Sequence, residues 1–233
     1  MTYALDHVFV CCAEGAPEAE RLIQLGLTEG APNTHPGQGT ACRRFFFENA
    51  YLELVWVTDA REAQAEPAAR TRLWSRWSRR AAGASPFAVV LRPAAGGEVA
   101  PPFASWAYHP SYLPPHLAIH VAEAAPLSEP AFFYLGFARA PALVDAQPRA
   151  HPLGIGRLTD VQIAGPGGAA PSPAARTLQK AGLVQFVEAA GHVMTLSFDG
   201  AGTGSRADLR PDLPLSCAGS RCSGRPEGAA IEP

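Results

Sequence analysis

The chain has 233 residues, 47% of them hydrophobic, with 22 Gly, 23 Pro and a formal net charge of -2. That much apolar material supports one large domain or two small ones, and the density of turn formers disfavours a helical bundle. The slightly acidic balance excludes a global attraction to nucleic acid or anionic lipid.

No apolar run approaches the ~20 residues of a bilayer span, and the opening residues Met1 to His7 lack the basic and apolar regions of a secretory leader. A soluble, cytoplasmic protein with a small-molecule ligand is therefore expected, with no nucleic acid and no membrane as partner. The five cysteines, Cys11, Cys12, Cys42, Cys217 and Cys222, include no Cys-x-x-Cys pair. Reduced, packed thiols are the expectation.

Tyr3 to Cys11 reads as a buried strand through Val8, Phe9 and Val10. A helix follows, with Pro17 at its first turn, Ala19, Leu22 and Ile23 as its apolar stripe, and Gly26 as its left-handed cap. Residues 31–40 are dense in turn formers and predict a loop or irregular edge strand. Two strands, Cys42–Phe47 and Tyr51–Val57, are then joined across a hairpin-length connection.

Residues 59–80 turn helical, with Leu73, Trp74 and Trp77 on one side and Arg70, Arg76, Arg79 and Arg80 as a solvated face. Strands are predicted at 86–91, 115–121 and 131–135. A β-α-β-β unit spans 157–199, in which Ser172 is the N-cap and Pro173 the first residue of the helix. The segment 216–233, rich in Gly, Ser and Pro, is expected to be a disordered tail.

The chain thus divides into a first βαβββ module at 3–57, a helical connection at 58–84 and a degenerate second half at 85–215. Aligning its ends pairs Leu5–Val10 with Leu158–Ile163, which sets His7 opposite Asp160 and Glu53 opposite Thr195.

The segments Leu5-Asp6-His7-Val8, His35-Pro36-Gly37-Gln38-Gly39-Thr40 and Tyr51-Leu52-Glu53-Leu54, in this order, resemble the glyoxalase-like branch of the vicinal oxygen chelate superfamily. Ser128–Phe133 and His151–Gly154 extend the similarity. The resemblance implies an α+β fold of repeated βαβββ modules whose mixed sheet curves into a cup. It also implies a divalent metal (zinc, iron, manganese or nickel) held by the first and last strands of each module, isomerase, lyase or dioxygenase chemistry on a small oxygenated metabolite, and a possible homodimer. Other members bind small molecules with no metal.

His7 and Glu53 stand at the two ligand positions of the first module, each on a strand face that alternation could turn into the cup. His116 and Asp160 are the candidates for a third ligand. His35, Gln38, Thr40, Arg44 and Tyr51 are candidate substrate contacts. The opposing reading pairs Glu53 with Arg43 or Arg44 and lets His7 donate to a backbone carbonyl. For a metal-free binding module, Phe45, Phe47, Tyr51, Trp56 and Phe133 could line the pocket.

Overall fold

The computed structural model describes residues 2–95, 100–140, 146–167, 170–200 and 206–219. The first module consists of β1 (Tyr3–Cys11), α1 (Ala19–Gln24), β2 (Asn33–His35), β3 (Thr40–Phe46) and β4 (Tyr51–Val57). Two short helices follow, α2 (Ala60–Gln64) and α3 (Leu73–Ser78), with 3-10 turns at Ala68–Thr71 and Arg80–Ala82. The long helical stretch expected at 59–80 is broken because Pro67 cannot continue a helix and Arg72 takes a left-handed conformation at φ 63°.

Four further strands, β5 (Phe87–Pro93), β6 (Ser105–Tyr108), β7 (Ile119–Ala122) and β8 (Ala131–Tyr134), complete an eight-stranded sheet in the order β2-β3-β4-β1-β5-β8-β7-β6. In each half the first strand lies parallel to the last, β1 on β4 and β5 on β8. The halves join through antiparallel β1 and β5. This sheet curls into a mixed α+β half-barrel. Strand β7 begins later than expected because Pro114 and Pro115 lead into a turn closed by Leu117 N–H donating to the Pro114 carbonyl.

A second, five-stranded sheet holds β9 (Leu158–Gly165), β10 (Gln185–Glu188), β11 (Val193–Phe198), β12 (Arg206–Asp208) and β13 (Leu215–Gly219), with α4 (Pro173–Lys180) between β9 and β10. Ser172 caps α4 by accepting from Ala175 N–H. The strand order that repeats the first module is therefore β5 to β8. The unit at 158–198, paired with the first module by sequence, belongs to a different sheet. Residues 216–219, expected in the tail, lie in β13, because Leu213, Leu215 and Cys217 are buried against β11 and its neighbours. Residues 220–233, including Cys222, lie outside the described residues. The four described cysteines are free and buried.

The eight-stranded sheet has two unlike faces. Its convex face, carrying Val8, Val10, Phe45, Phe47, Leu52, Leu54, Val89 and Phe132, shares one core with the second sheet through Ile163, Leu178, Leu196 and Phe198. Its concave face carries a smaller cluster of Phe9, Cys42, Val55, Val90, Tyr108 and Phe133, closed from one side by Leu73 of α3.

Strand β1 serves both faces through a bulge. Leu5 pairs with Leu91 and His7 with Val90, which leaves Asp6 as an extra residue. Strict alternation would put Leu5 and His7 on one face. The bulge reverses the parity, so Leu5 packs on the convex core while Phe9 and Cys11 belong to the concave cluster and His7 lines the cavity there.

Two buried polar residues tie the segments together. Arg76, expected on a solvated face, is 3% exposed and donates to the carbonyls of Ser85, Leu127 and Glu129. Burial pushes its pKa down to about 10, so it stays charged at neutral pH. His151 accepts from Thr28 N–H at Nδ1, and its Nε2 donates to the Phe46 carbonyl. Burial lowers its pKa and keeps it neutral. No described helix is long and apolar enough to cross a membrane.

Replacing Arg76 by Met strands the Ser85 and Glu129 carbonyls, while Leu127 keeps the Ser85 N–H, and urea denaturation should show a loss of about 3 kcal/mol, since each unsatisfied buried acceptor costs roughly 1–3 kcal/mol. The neutral His151 binds no proton in the fold, whereas the unfolded chain takes one up below an ordinary histidine pKa of about 6.5. Its contribution is thus present above that pH and lost as the pH falls. Denaturation midpoints should decline from pH 7.5 to about 5.5, and His151→Gln should flatten that slope while lowering the midpoint at neutral pH.

Candidate functional site

The concave face encloses a cavity of about 370 Å³. Its polar wall comes from β1 and β4, where His7 pairs in register with Tyr51, and Phe9 with Glu53. Tyr51 stacks on the His7 ring at 4.3 Å between centroids and 22° between planes. His7 and Glu53 are 8% and 6% exposed. Burying two such groups on an apolar face is unfavourable unless partners are provided.

The partners are present. Asp6, the bulge residue, sets Oδ2 2.7 Å from His7 Nδ1, and its Oδ1 lies 3.5 Å from Nε of Arg92. This places the Nδ1 proton toward Asp6 and turns Nε2 into the cavity. Glu53 Oε2 lies 3.8 Å from Nε2. The Cys42 thiol, opposite Val55 on the neighbouring strand, donates to the Glu53 carboxylate, and burial pushes that thiol far above its ordinary pKa.

The opposing pairing of Glu53 with an arginine does not form. Arg43 points to the other face and grips Glu29 and Glu20. Arg44 donates to the carbonyls of Ala31 and Pro32 and lies over the Phe46 ring.

The loop before β3 contributes a second patch. His35 and Gln38 line the cavity, and Thr40, behind them, is bonded to both side chains. Tyr112 donates to Gln38 Oε1. Burial lowers the His35 pKa, which holds it neutral near pH 7. Burial likewise raises the phenol of Tyr51, with Asp6 and Glu53 adding to the shift.

The wall contributed by the second half is apolar. Since His7 pairs with Val90 across the seam, and Val90 pairs with Phe133 as His7 does with Tyr51, the positions equivalent to His7 and Glu53 are Val90 and Leu135. Both line the cavity, together with Tyr108, Ile119 and the 36%-exposed Phe137 at the rim.

Of the sequence candidates, His7, Glu53, His35, Gln38 and Tyr51 meet in one cavity, while Thr40 and Arg44 stand behind it. His116 is exposed in the turn before β7 and does not line the cavity. Asp160 lies on β9 of the other sheet, bonded to Gln185. Phe45 and Phe47 face the convex core, and Trp56 packs against it, because β3 and β4 present the opposite alternation to the cup. Asp6 and Cys42 were not singled out from sequence, because the bulge and the cross-strand register that place them leave no local sign.

A divalent ion held by side chains needs three or four donors. His7 and Glu53 supply two, the equivalent positions across the seam are aliphatic, and no group of three or more His, Cys, Asp or Glu able to hold an ion occurs among the described residues. The donor set does not fit a resident metal.

A family model described as a glyoxalase-like domain matches residues 5–179. No curated protein matches the chain. Among solved structures, the crystal structure of a hypothetical protein from Staphylococcus aureus is similar in fold, with a TM-score of 0.52 and 8% sequence identity, the match covering 94% of this chain and 100% of that one. The paired four-stranded halves, the parallel first and last strands and the match over most of the chain agree: the chain belongs to the glyoxalase-like domain family, within the vicinal oxygen chelate superfamily.

Proposed function

We propose that this protein binds a small molecule with an apolar body in the cup, meeting its one polar end with His7 and Glu53 and using no resident metal. The observation that carries this reading is the asymmetry of the cup, two polar groups on β1 and β4 against Val90, Phe133 and Leu135. A cavity of about 370 Å³ suits a compact ligand, and mostly apolar walls with a few convergent polar groups are the common design of such sites.

A metal-dependent isomerase, lyase or dioxygenase would use the same His7 and Glu53 as ligands. It lacks the donors that would complete the centre and is the weaker reading for that reason. An enzyme working without metal is favoured by one specific feature, the Asp6–His7 pair. A carboxylate at 2.7 Å from Nδ1 orients the imidazole and leaves Nε2 free to accept a proton from a bound molecule.

Two measurements test this reading. Thermal-shift screening with small aromatic compounds should give rises in melting temperature that survive a chelator, and Phe137→Ala should weaken the best of them by roughly threefold to tenfold with little change in the melting temperature of the free protein. Shifts abolished by chelator would overturn the metal-free reading. Rebuilding the missing half-site with Val90→His and Leu135→Glu together should lower the stability of the metal-free protein and create zinc binding measurable by calorimetry. Zinc binding of equal strength in the unaltered chain contradicts the proposal.

A further inference from the structure

We propose that the polar end of the ligand is a primary ammonium carried on an aromatic body, that is, an arylalkylamine. The inference rests on the binding reading above and specifies its ligand class. Three features of the cup support it.

The first is charge. Among the described residues no Lys or Arg lines the cavity. The nearest arginines stand outside the lining, Arg44 hydrogen-bonded to the Ala31 and Pro32 carbonyls though its charge reaches His35 and Tyr51, and Arg92 beside Asp6. His35 is held neutral by burial. Glu53 is therefore the fixed charge of the lining, and in an apolar enclosure a carboxylate favours a cation and disfavours an anionic ligand.

The second is hydrogen-bond arithmetic. Asp6 Oδ2 accepts from His7 Nδ1–H, so in the neutral ring Nε2 is an acceptor, and it faces another acceptor, Glu53 Oε2, across 3.8 Å. That separation is too long for a hydrogen bond between them. A nitrogen with at least two hydrogens, placed about 2.9 Å from each, donates to both. A hydroxyl has a single hydrogen and satisfies one. A metal ion meets the same charge but demands further donors that the aliphatic wall lacks, whereas an ammonium needs only acceptors and polarisable walls.

The third is the wall itself. Phe9, Tyr51, Tyr108, Tyr112 and Phe133 line the same cavity, with Tyr51 stacked on His7. Aromatic faces attract a desolvated cation and also stack on an aromatic ligand body.

The test uses the full chain, in chelator, at near-neutral pH. Calorimetry compares three matched pairs: benzylamine with benzyl alcohol, phenethylamine with phenylethanol, and phenylpropylamine with phenylpropanol, together with phenylpropionate as the anion. The expected result is that in at least one pair the amine binds about tenfold more tightly than its alcohol, as a charge-assisted contact predicts, with the anion weakest. Glu53→Gln, which keeps the shape, should erase that preference.

Alcohols that bind as well as the amines in every pair, or a preference that persists in Glu53→Gln, would overturn the inference while leaving the binding reading intact. Absence of binding by all amines, alcohols and other aromatics overturns both. Should Glu53→Gln fail to fold, the unaltered protein still decides through the matched pairs.

Discussion

The architecture depends on one backbone interaction, the antiparallel seam between β1 and β5. Each half contributes four strands with its first and last side by side, and neither half closes a cup alone. Pairing the two first strands brings both concave faces around one cavity. It also sets equivalent positions of the two halves opposite each other, so any polar group in one half meets whatever the other half offers at the matching place. Here His7 meets Val90.

That opposition explains the chemistry of the cavity. A symmetric pair of modules would concentrate four polar groups at the seam, whereas this chain retains two and replaces the others with Val90 and Leu135. Burying an acidic group and an imidazole in this setting requires local compensation. Asp6 holds the ring, Arg92 offsets Asp6, and the Cys42 thiol reaches Glu53. The convex face, by contrast, is filled by the second sheet, so its aromatic residues serve cohesion and the cavity is left to the concave side.

Much of this was legible in the sequence, for identifiable reasons. The first module shows in its buried strand, its Pro-started and Gly-ended helix, and its hairpin, each of which is a local signal. His7 and Glu53 stood out because polar residues in apolar strands require an explanation. The second sheet was harder to read. Strands β12 and β13 are short and lie among Gly, Ser and Pro, and what holds β13 is its pairing with β11, a contact between residues distant in sequence. The pairing of Leu158 with Leu5 failed because strand-then-helix order recurs in both sheets, while the true counterpart, β5 to β8, has no described helix between β5 and β6. Arg76 looked like a solvated residue because helix periodicity reveals a face but not the three carbonyls waiting beneath it.

The bulge at Asp6 has a wider meaning. On either side of it β1 obeys simple alternation, but with opposite parity, so the extra residue lets Leu5 and His7, two apart in sequence, sit on opposite faces of the sheet. The same residue supplies the carboxylate that orients the imidazole. Loss of Asp6 alone would restore plain alternation with Leu5 still against Leu91 and His7 still against Val90, so the imidazole would keep its place and lose only its orienting carboxylate. Where this side chain sits and how it is oriented are thus separable, the first set by register with β5 and the second by one inserted residue.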